Sequence, residues 1–202
     1  MIDAQQINGT LRRVPAWAIY IVGAVPAFWF LYLGLTGGLG VEPIRALEQE
    51  LGLFALKLFL VVLAVTPLRN LTGISLFRFR RALGLLVFYY ITLHLLVWLF
   101  LDVQIWSQIL GDILKRPYIT IGMAGFLLLI PLAATSNNWS VRKLGALRWR
   151  FWHRLTYPAA ILGGVHYVML VKGWQLTPLL YLTAILALLA LRIRWNRARV
   201  AA

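Results

Sequence analysis

Six long apolar runs constrain this chain more than any other feature of its sequence. Each has roughly 17–21 residues, enough for a helix to cross a hydrocarbon core about 30 Å thick. Because lipid offers no partner to a backbone N–H or C=O, each run is predicted to be a helix. The predicted fold is an all-α integral membrane bundle of six transmembrane helices, one domain over residues 1–202. The runs are Pro15–Leu35, Leu51–Leu68, Ala82–Leu101, Tyr118–Ala134, Trp152–Val171 and Thr177–Ile193.

Composition favours a chain embedded in lipid. Of its 202 residues, 61% are hydrophobic and only 13% are charged, with a mean hydropathy of +0.80, whereas soluble domains have about 25% charged residues. The absence of cysteine excludes disulfides, iron–sulfur clusters and thiol catalysis. No glycine-rich dinucleotide fingerprint, P-loop or metalloprotease motif occurs either. We therefore expect no site for a nicotinamide nucleotide within this chain.

The net charge of +14 predicts membrane topology rather than nucleic-acid binding. Of the 20 lysine and arginine residues, 15 lie at the same end of the runs, in short loops and at both termini. Such an asymmetry places that end, and both termini, in the cytoplasm. The opposite loops hold five of the six acids, which are Glu42, Glu48, Glu50, Asp102 and Asp112.

Three histidines are the candidate functional residues: His94, His153 and His166. An ionisable side chain inside a bilayer is costly and normally belongs to a site, and imidazole is a standard ligand of haem iron. His94 and His166 lie roughly 18–21 Å from the cytoplasmic ends of two parallel runs. Their matched depth predicts that they bind one b-type haem from both sides, towards the outer face.

His153 opens the fifth run, about 20 Å before His166. This spacing is similar to that of membrane cytochromes with two stacked haems, but Arg81 occupies the partner position before His94. The number of haems, one or two, therefore stays open. His153 is expected to ligate a second haem without a histidine partner, to serve a quinone or flavin site, or to contact lipid headgroups.

The directions in which His153 and His166 point around the fifth run also bear on haem binding. Thirteen residues of straight helix turn by about 220°, so His153 and His166 do not share a face. If both ligate haems beside the third run, the helix must be distorted, and Gly163-Gly164 is the expected place. Ala159 and Gly163 share the face of His166; they either admit a flat macrocycle or serve ordinary helix packing.

Four basic residues allow two interpretations each. Lys57, inside the second run, is expected to extend towards the headgroups or to pair with a haem propionate. Arg78, Arg80 and Arg81 either set topology and contact anionic lipid, or bind propionates, a flavin phosphate or a quinone headgroup.

Three stretches resemble a known family. They are Arg80-Arg81-Ala82-Leu83-Gly84 running to Tyr90 and His94; Thr135-Ser136-Asn137; and Leu144-Gly145 through Trp152-His153-Arg154-Leu155-Thr156-Tyr157 to His166-Tyr167. With the six-run layout, they make the chain similar to the haem-binding membrane subunits of bacterial periplasmic methionine-sulfoxide reductase systems, within the ferric-reductase-like transmembrane superfamily. The resemblance covers nearly the whole chain.

The resemblance implies a function. Such subunits lie in the bacterial inner (cytoplasmic) membrane, take electrons from quinol, and pass them through haem b to a periplasmic molybdopterin-containing methionine-sulfoxide reductase. By motif match, the family's haem ligands fall on His94, His153 and His166, and the family is also associated with FMN. The chain is then an electron-transfer subunit rather than the catalytic one. Its partner is expected to dock on the outer loops Thr36–Glu50, Asp102–Pro117 and Lys172–Leu176.

Two other functions are compatible with the same residues. A cytochrome b subunit of another dehydrogenase or a ferric reductase has the same haem but a different partner. A transporter or assembly factor uses its histidines for protons, and inverted repeats or discontinuous helices favour that class. Neither feature is evident in the sequence.

Overall fold

The computed structural model describes residues 3–171 and 173–200, with side chains described as far as Arg192. Lys172, where the third expected outer loop begins, lies outside this part of the chain. The described residues form helices and no strand, which confirms the predicted all-α class. The helices are α1 (Ala4–Arg13), α2 (Ala16–Leu35), α3 (Pro43–Thr72), α4 (Arg80–Val97), α5 (Trp106–Lys115), α6 (Pro117–Ala134), α7 (Asn138–Trp152), α8 (Thr156–Leu170) and α9 (Leu176–Val200).

Four segments are long and apolar enough to cross a membrane. They are α2, α3, α6 and the segment Phe77–Val103, in which a 3₁₀ turn precedes α4 and a π-helical turn, Trp98–Val103, continues it. Helix α8 is shorter, with 15 residues. Within α9 the apolar part is Leu176–Arg192.

The predicted start of the fifth run was wrong. Trp152 is the last residue of α7, and His153–Leu155 form a 3₁₀ turn before α8 begins at Thr156. Apolar periodicity does not distinguish an α-helix from the tighter turn that often precedes one. Helix α8 then runs without interruption through Gly163 and Gly164, so the distortion expected there is also absent from it.

Two helix pairs form the body of the bundle. Helix α3 packs along α4, and α6 packs along α8. Helix α9 joins the pairs by contacting both α3 and α8, and α2 covers the outside of α3 and α4. The shared core includes Leu63, Ile185 and Ala160, none of which is exposed to solvent.

A tyrosine joins α2 to α4. The fully buried Tyr90 hydroxyl donates to the Gly23 carbonyl at 2.7 Å and accepts from the Ala27 N–H at 3.1 Å. These two backbone groups are four residues apart, which is the spacing of a hydrogen bond within an α-helix. The Tyr90 hydroxyl therefore bridges the donor and the acceptor of one helical turn. Gly23 also lets α4 approach, because a Cβ there would overlap a methyl group of Leu86.

A buried arginine joins α9 to α3. Arg192 donates to the Leu63 carbonyl at 2.8 and 3.1 Å and to the Val62 carbonyl at 2.9 Å. Pro67, inside α3, has no N–H to donate to Leu63, four residues before it. The guanidinium supplies the missing donor. Although Arg192 is one of the 15 basic residues whose position predicts the cytoplasmic end, only 5% of it is exposed.

Three helices lie outside the six predicted runs. Helix α1 is attached by Asn8, whose side chain donates to the Gly73 carbonyl and accepts from the Ser75 N–H. Helix α5 is amphipathic and buries Ile109. Helix α7 begins at an asparagine cap, since the Asn137 side chain accepts from the Ser140 N–H at 2.8 Å.

Candidate functional site

A cavity of about 1130 Å³ separates the α3–α4 pair from the α6–α8 pair. Sites for small organic ligands usually measure roughly 300–1,000 Å³, so this one has room for a group as large as a haem. His94 and His166 both line it, from α4 and α8 respectively. The structure therefore brings together the two histidines whose depths were predicted to match.

The His94 ring is held through one of its nitrogens. Its Nδ1 lies 2.8 Å from the Glu48 carbonyl oxygen in the first turns of α3. A carbonyl only accepts hydrogen bonds, so Nδ1 carries the proton and donates, and the lone pair is on Nε2. The Glu48 carboxyl group also lies near the ring, with Oε1 4.0 Å from that Nε2.

The His166 ring is held in the same way. Its Nδ1 lies 2.7 Å from the Tyr118 carbonyl oxygen, at the start of α6. Here too the carbonyl assigns the proton to Nδ1 and leaves Nε2 with its lone pair. A histidine that binds a metal usually donates its other ring N–H to a carbonyl or carboxylate, which fixes the tautomer and the ring orientation. Both histidines meet this condition.

The distance between the rings suits one metal ion between them. Their centres lie 6.3 Å apart, and their planes are inclined at 81°. An imidazole nitrogen binds a transition metal at about 2 Å, so two rings on opposite sides of one ion have centres roughly 6–6.5 Å apart. No rearrangement of the backbone is needed to reach that separation.

Two histidines suit haem iron better than a bare ion. Within residues 3–171 and 173–192, no group of three or more His, Asp or Glu side chains is arranged to hold a metal. A bare structural ion normally takes four ligands from the protein. Haem iron needs only axial ligands from it, because the macrocycle supplies the others.

The cavity walls also suit a flat macrocycle. Small residues from both helix pairs line the cavity together with larger apolar side chains such as Phe59, Ile91 and Leu129. The small wall residues are Gly52, Ala55, Gly122, Gly125, Ala159 and Gly163. Ala159 and Gly163 line the cavity and also pack against α6, where a Cβ added at Gly125 would lie 3.8 Å from the Ala159 carbonyl oxygen and 4.0 Å from the Gly163 nitrogen, so both interpretations stay open.

The other end of the cavity is polar. Its lining there includes Glu42, Arg45, Glu48, Asp102 and Arg116. The Arg45 guanidinium lies 3.3 Å from the Glu42 carboxylate. Both basic side chains are more than half exposed, so they can turn towards an anionic group of a ligand.

Arg116 stays cationic at this end. Its guanidinium donates to the Tyr118 hydroxyl at 3.4 Å and lies 3.1 Å from the Asp112 carboxylate. The hydrogen bond to Tyr118, more than the charge of Asp112, raises the pKa of Arg116 above its usual value.

His153 lies apart from this cavity, among polar groups of the α6–α7 turn. The Thr135 hydroxyl donates to the Pro131 carbonyl at 2.6 Å, so it accepts from His153 Nε2, 3.1 Å away. Trp149 stacks on the imidazole, with 3.8 Å between ring centres, and donates its indole N–H to the Thr135 carbonyl. The Nε2 atom of His153 is therefore already engaged.

The remaining predicted residues lie outside the cavity lining. Lys57 is exposed on α3, which favours an ammonium extended towards the headgroups. Arg78 donates to the Arg12 carbonyl and thereby ties the α3–α4 connection to α1. Arg80 and Arg81 open α4, close enough to His153 to act on it electrostatically.

Sequence reasoning missed the groups that hold the two imidazoles. The Glu48 and Tyr118 carbonyls are backbone atoms, so no residue type marks them. Gly52 and Gly122 are interior helical glycines, and a glycine inside a helical pattern indicates a close approach without saying by what. Apart from its positive charge, nothing in the sequence marked Arg116 as a residue that lines the cavity.

Comparison with known proteins finds similar sequences over most of the chain. Residues 51–164, more than half of the chain, match the family described as ferric reductase like transmembrane component. A protein of Brucella anthropi named protein-methionine-sulfoxide reductase heme-binding subunit MsrQ is 48% identical over 91% of this chain and 83% of its own length. Proteins of the same name from Brucella ovis and Brucella canis are each 50% identical over 88% of this chain and 80% of theirs. No solved structure matches the chain.

Proposed function

Because this chain belongs to the ferric-reductase-like transmembrane family, among its MsrQ haem-binding subunits, we propose that it is a membrane b-type cytochrome. It passes electrons through haem to a periplasmic molybdopterin-containing methionine-sulfoxide reductase, which repairs oxidised proteins. One observation carries the haem site: His94 and His166 line one cavity with ring centres 6.3 Å apart, each anchored at Nδ1. A bound haem supplies one-electron chemistry there.

The protein's own residues ligate, enclose and neutralise the group. The Nε2 atoms of His94 and His166 would bind the haem iron. Among the described residues, the basic side chains lining the cavity are Arg45 and Arg116, and we assign them to the two propionates. Apolar burial disfavours the extra charge of the ferric state, and the carbonyls bonded to both Nδ1 atoms increase the basicity of the ligands, which favours that state.

We propose six membrane crossings with both termini in the cytoplasm. The four long apolar segments supply four of the crossings, and α8 and the apolar part of α9, which pack against α6 and α3, supply the other two. Arginines are concentrated in the connections α3–α4 and α6–α8 and after Arg192. This concentration assigns the end of the bundle that holds these segments to the cytoplasm. The proposed compartment is the bacterial inner membrane.

This orientation places the haem close to the outer face and His153 close to the inner face. The reductase then docks at the polar end of the cavity, on the loops that hold Glu42 and Asp102. Electrons enter from quinol, or from an FMN-dependent donor, on the side of His153. We favour one haem, since a second at His153 would require its Nε2 to exchange the Thr135 hydroxyl for iron.

A reduced-minus-oxidised absorption spectrum with haem quantitation tests the site. Purified wild type is compared with His94→Ala, His166→Ala and, as the matched histidine control, His153→Ala. We expect a six-coordinate b-type spectrum that is lost in the first two variants and kept in the third. A wild type without haem, after expression with an adequate supply of it, contradicts the proposal. Loss of a separate minor component in His153→Ala would assign that residue to a second haem.

Reconstitution tests the partner. Vesicles containing the protein and a quinol are mixed with the periplasmic reductase and an oxidised protein, and the recovery of methionine is measured by mass spectrometry. We expect repair with wild type and none with His94→Ala. Haem that quinol reduces but the reductase does not reoxidise would instead indicate a cytochrome of another dehydrogenase.

A further inference from the structure

The two candidate haem ligands are seated by the same local arrangement. His94 Nδ1 bonds the carbonyl of Glu48, and Gly52 follows four residues later on α3. His166 Nδ1 bonds the carbonyl of Tyr118, and Gly122 follows four residues later on α6. We call each carbonyl with its glycine a seat.

The spacing of four has a physical reason. In an α-helix, the carbonyl of one residue accepts from the N–H of the fourth residue after it. A side chain that shares this carbonyl must therefore lie beside the Cα of that fourth residue. A Cβ added at Gly52 would lie 3.0 Å from His94 Nδ1, and one added at Gly122 would lie 2.7 Å from His166 Nδ1. Glycine leaves the space that each imidazole occupies.

Glycine destabilises each of the two helices, and neither helix needs a glycine for its own backbone conformation. Glycine is the least favourable ordinary residue in a helix interior, because it loses the most backbone freedom. Neither Gly52 nor Gly122 adopts the positive φ that would require glycine for the backbone's own sake. The nearest neighbour that a Cβ would meet at each position is the histidine ring.

The seats belong to different helix pairs and hold the rings at different angles. His94 is held between α3 and α4, His166 between α6 and α8, and the two ring planes cross at 81°. A ring hydrogen-bonded at Nδ1 and packed edge-on against a helix cannot rotate freely about its bond to a metal at Nε2. The relative angle of the rings is thus set by the two backbones.

We infer that Gly52 and Gly122 are positioning residues that hold the axial imidazoles crossed. The inference rests on the proposed haem between His94 and His166. Crossed axial imidazoles bring two d orbitals of low-spin ferric iron close in energy, and the electron paramagnetic resonance signal is then highly anisotropic. Parallel imidazoles separate those orbitals and give an ordinary rhombic signal. Ligand orientation is therefore directly measurable.

The test compares low-temperature paramagnetic resonance spectra of the complete, haem-loaded protein. Wild type is expected to give the highly anisotropic signal. Gly52→Ala and Gly122→Ala are expected to keep a six-coordinate absorption spectrum and to move towards the rhombic signal, Gly122→Ala further because its Cβ lies closer to the ring. Gly84→Ala on α4 is the matched control, since a Cβ there meets nothing within 4 Å. It should leave the signal unchanged.

Each result has a distinct meaning. An ordinary rhombic signal from wild type overturns the inference, even if an alanine variant fails to fold. An anisotropic signal that persists unchanged in both haem-loaded alanine variants also overturns it. In either case the proposed function stands, because haem is bound. Absence of haem from wild type is the separate failure, and it removes the proposed function.

Discussion

Replacing Arg192 tests the most buried polar contact between α9 and α3. In Arg192→Met, the Val62 carbonyl keeps the helical N–H of Thr66, whereas the Leu63 carbonyl faces Pro67 and keeps no such donor. A buried polar group left unsatisfied costs about 1–3 kcal/mol. Removing the guanidinium offsets part of that cost, because burying a cation is itself unfavourable. We therefore expect the free energy of unfolding to fall by about 2 kcal/mol.

A second substitution tests whether the loss of stability comes from the Leu63 carbonyl. Pro67→Ala restores an N–H four residues after Leu63, so that the carbonyl no longer depends on the guanidinium. In that background, Arg192→Met is expected to cost only about 1 kcal/mol or less. The difference between the two costs is a coupling free energy of about 1 kcal/mol, which a double-mutant cycle measures.

The assay is equilibrium unfolding in mixed micelles. Purified protein in a mild detergent is titrated with sodium dodecyl sulfate, and the loss of helix is followed by circular dichroism for wild type, both single variants and the double variant. Arg192→Lys serves as the charge-matched control, since lysine keeps the cation but lacks the planar fork of donors. Equal costs of Arg192→Met in the two backgrounds would refute the link between the arginine and the proline.

Three further changes test other contacts. Tyr90→Phe removes the hydroxyl that bridges two backbone groups of α2 and should lower the free energy of unfolding by about 1–3 kcal/mol in the same titration, while Tyr89→Phe should change it little. Thr135→Val frees Nε2 of His153, so diethyl pyrocarbonate should modify that ring faster by mass spectrometry; an unchanged rate, or an equal increase in Thr135→Ser, would contradict the hydrogen bond. Asn137→Ala removes the cap of α7 and should cost about 1 kcal/mol, and a comparable loss in Asn137→Asp would argue against capping.

The class of the fold was predictable because lipid leaves few choices. A long apolar run has to satisfy its own backbone, and α2 (Ala16–Leu35) agrees with the predicted run Pro15–Leu35 to within one residue. The amphipathic helices α1 and α5 escaped prediction, since polar residues interrupt their apolar pattern. The 3₁₀ turn at His153–Leu155 escaped it because its residues continue the run that follows.

Part of the candidate site was predictable by the same reasoning. The cost of an imidazole in lipid singled out His94 and His166, and counting residues from the run ends matched their depths. The groups that seat them were not predictable, because a carbonyl exists at every position. The burial of Arg192 was equally hidden. An arginine at the end of an apolar run has the same local sequence whether it meets water or a carbonyl that lies 129 residues earlier in the chain.

The separation of the two seats along the chain has a consequence for biosynthesis. Each histidine bonds a carbonyl within its own half of the protein, 46 residues away for His94 and 48 for His166. Both contacts are local compared with those that join the halves, so each histidine can be seated before the halves meet. The first half is complete before the ribosome has made the second. A chain cut between Val103 and Trp106 should therefore yield two fragments, each with its histidine seated, that reunite across the shared core of Leu63, Ala160 and Ile185.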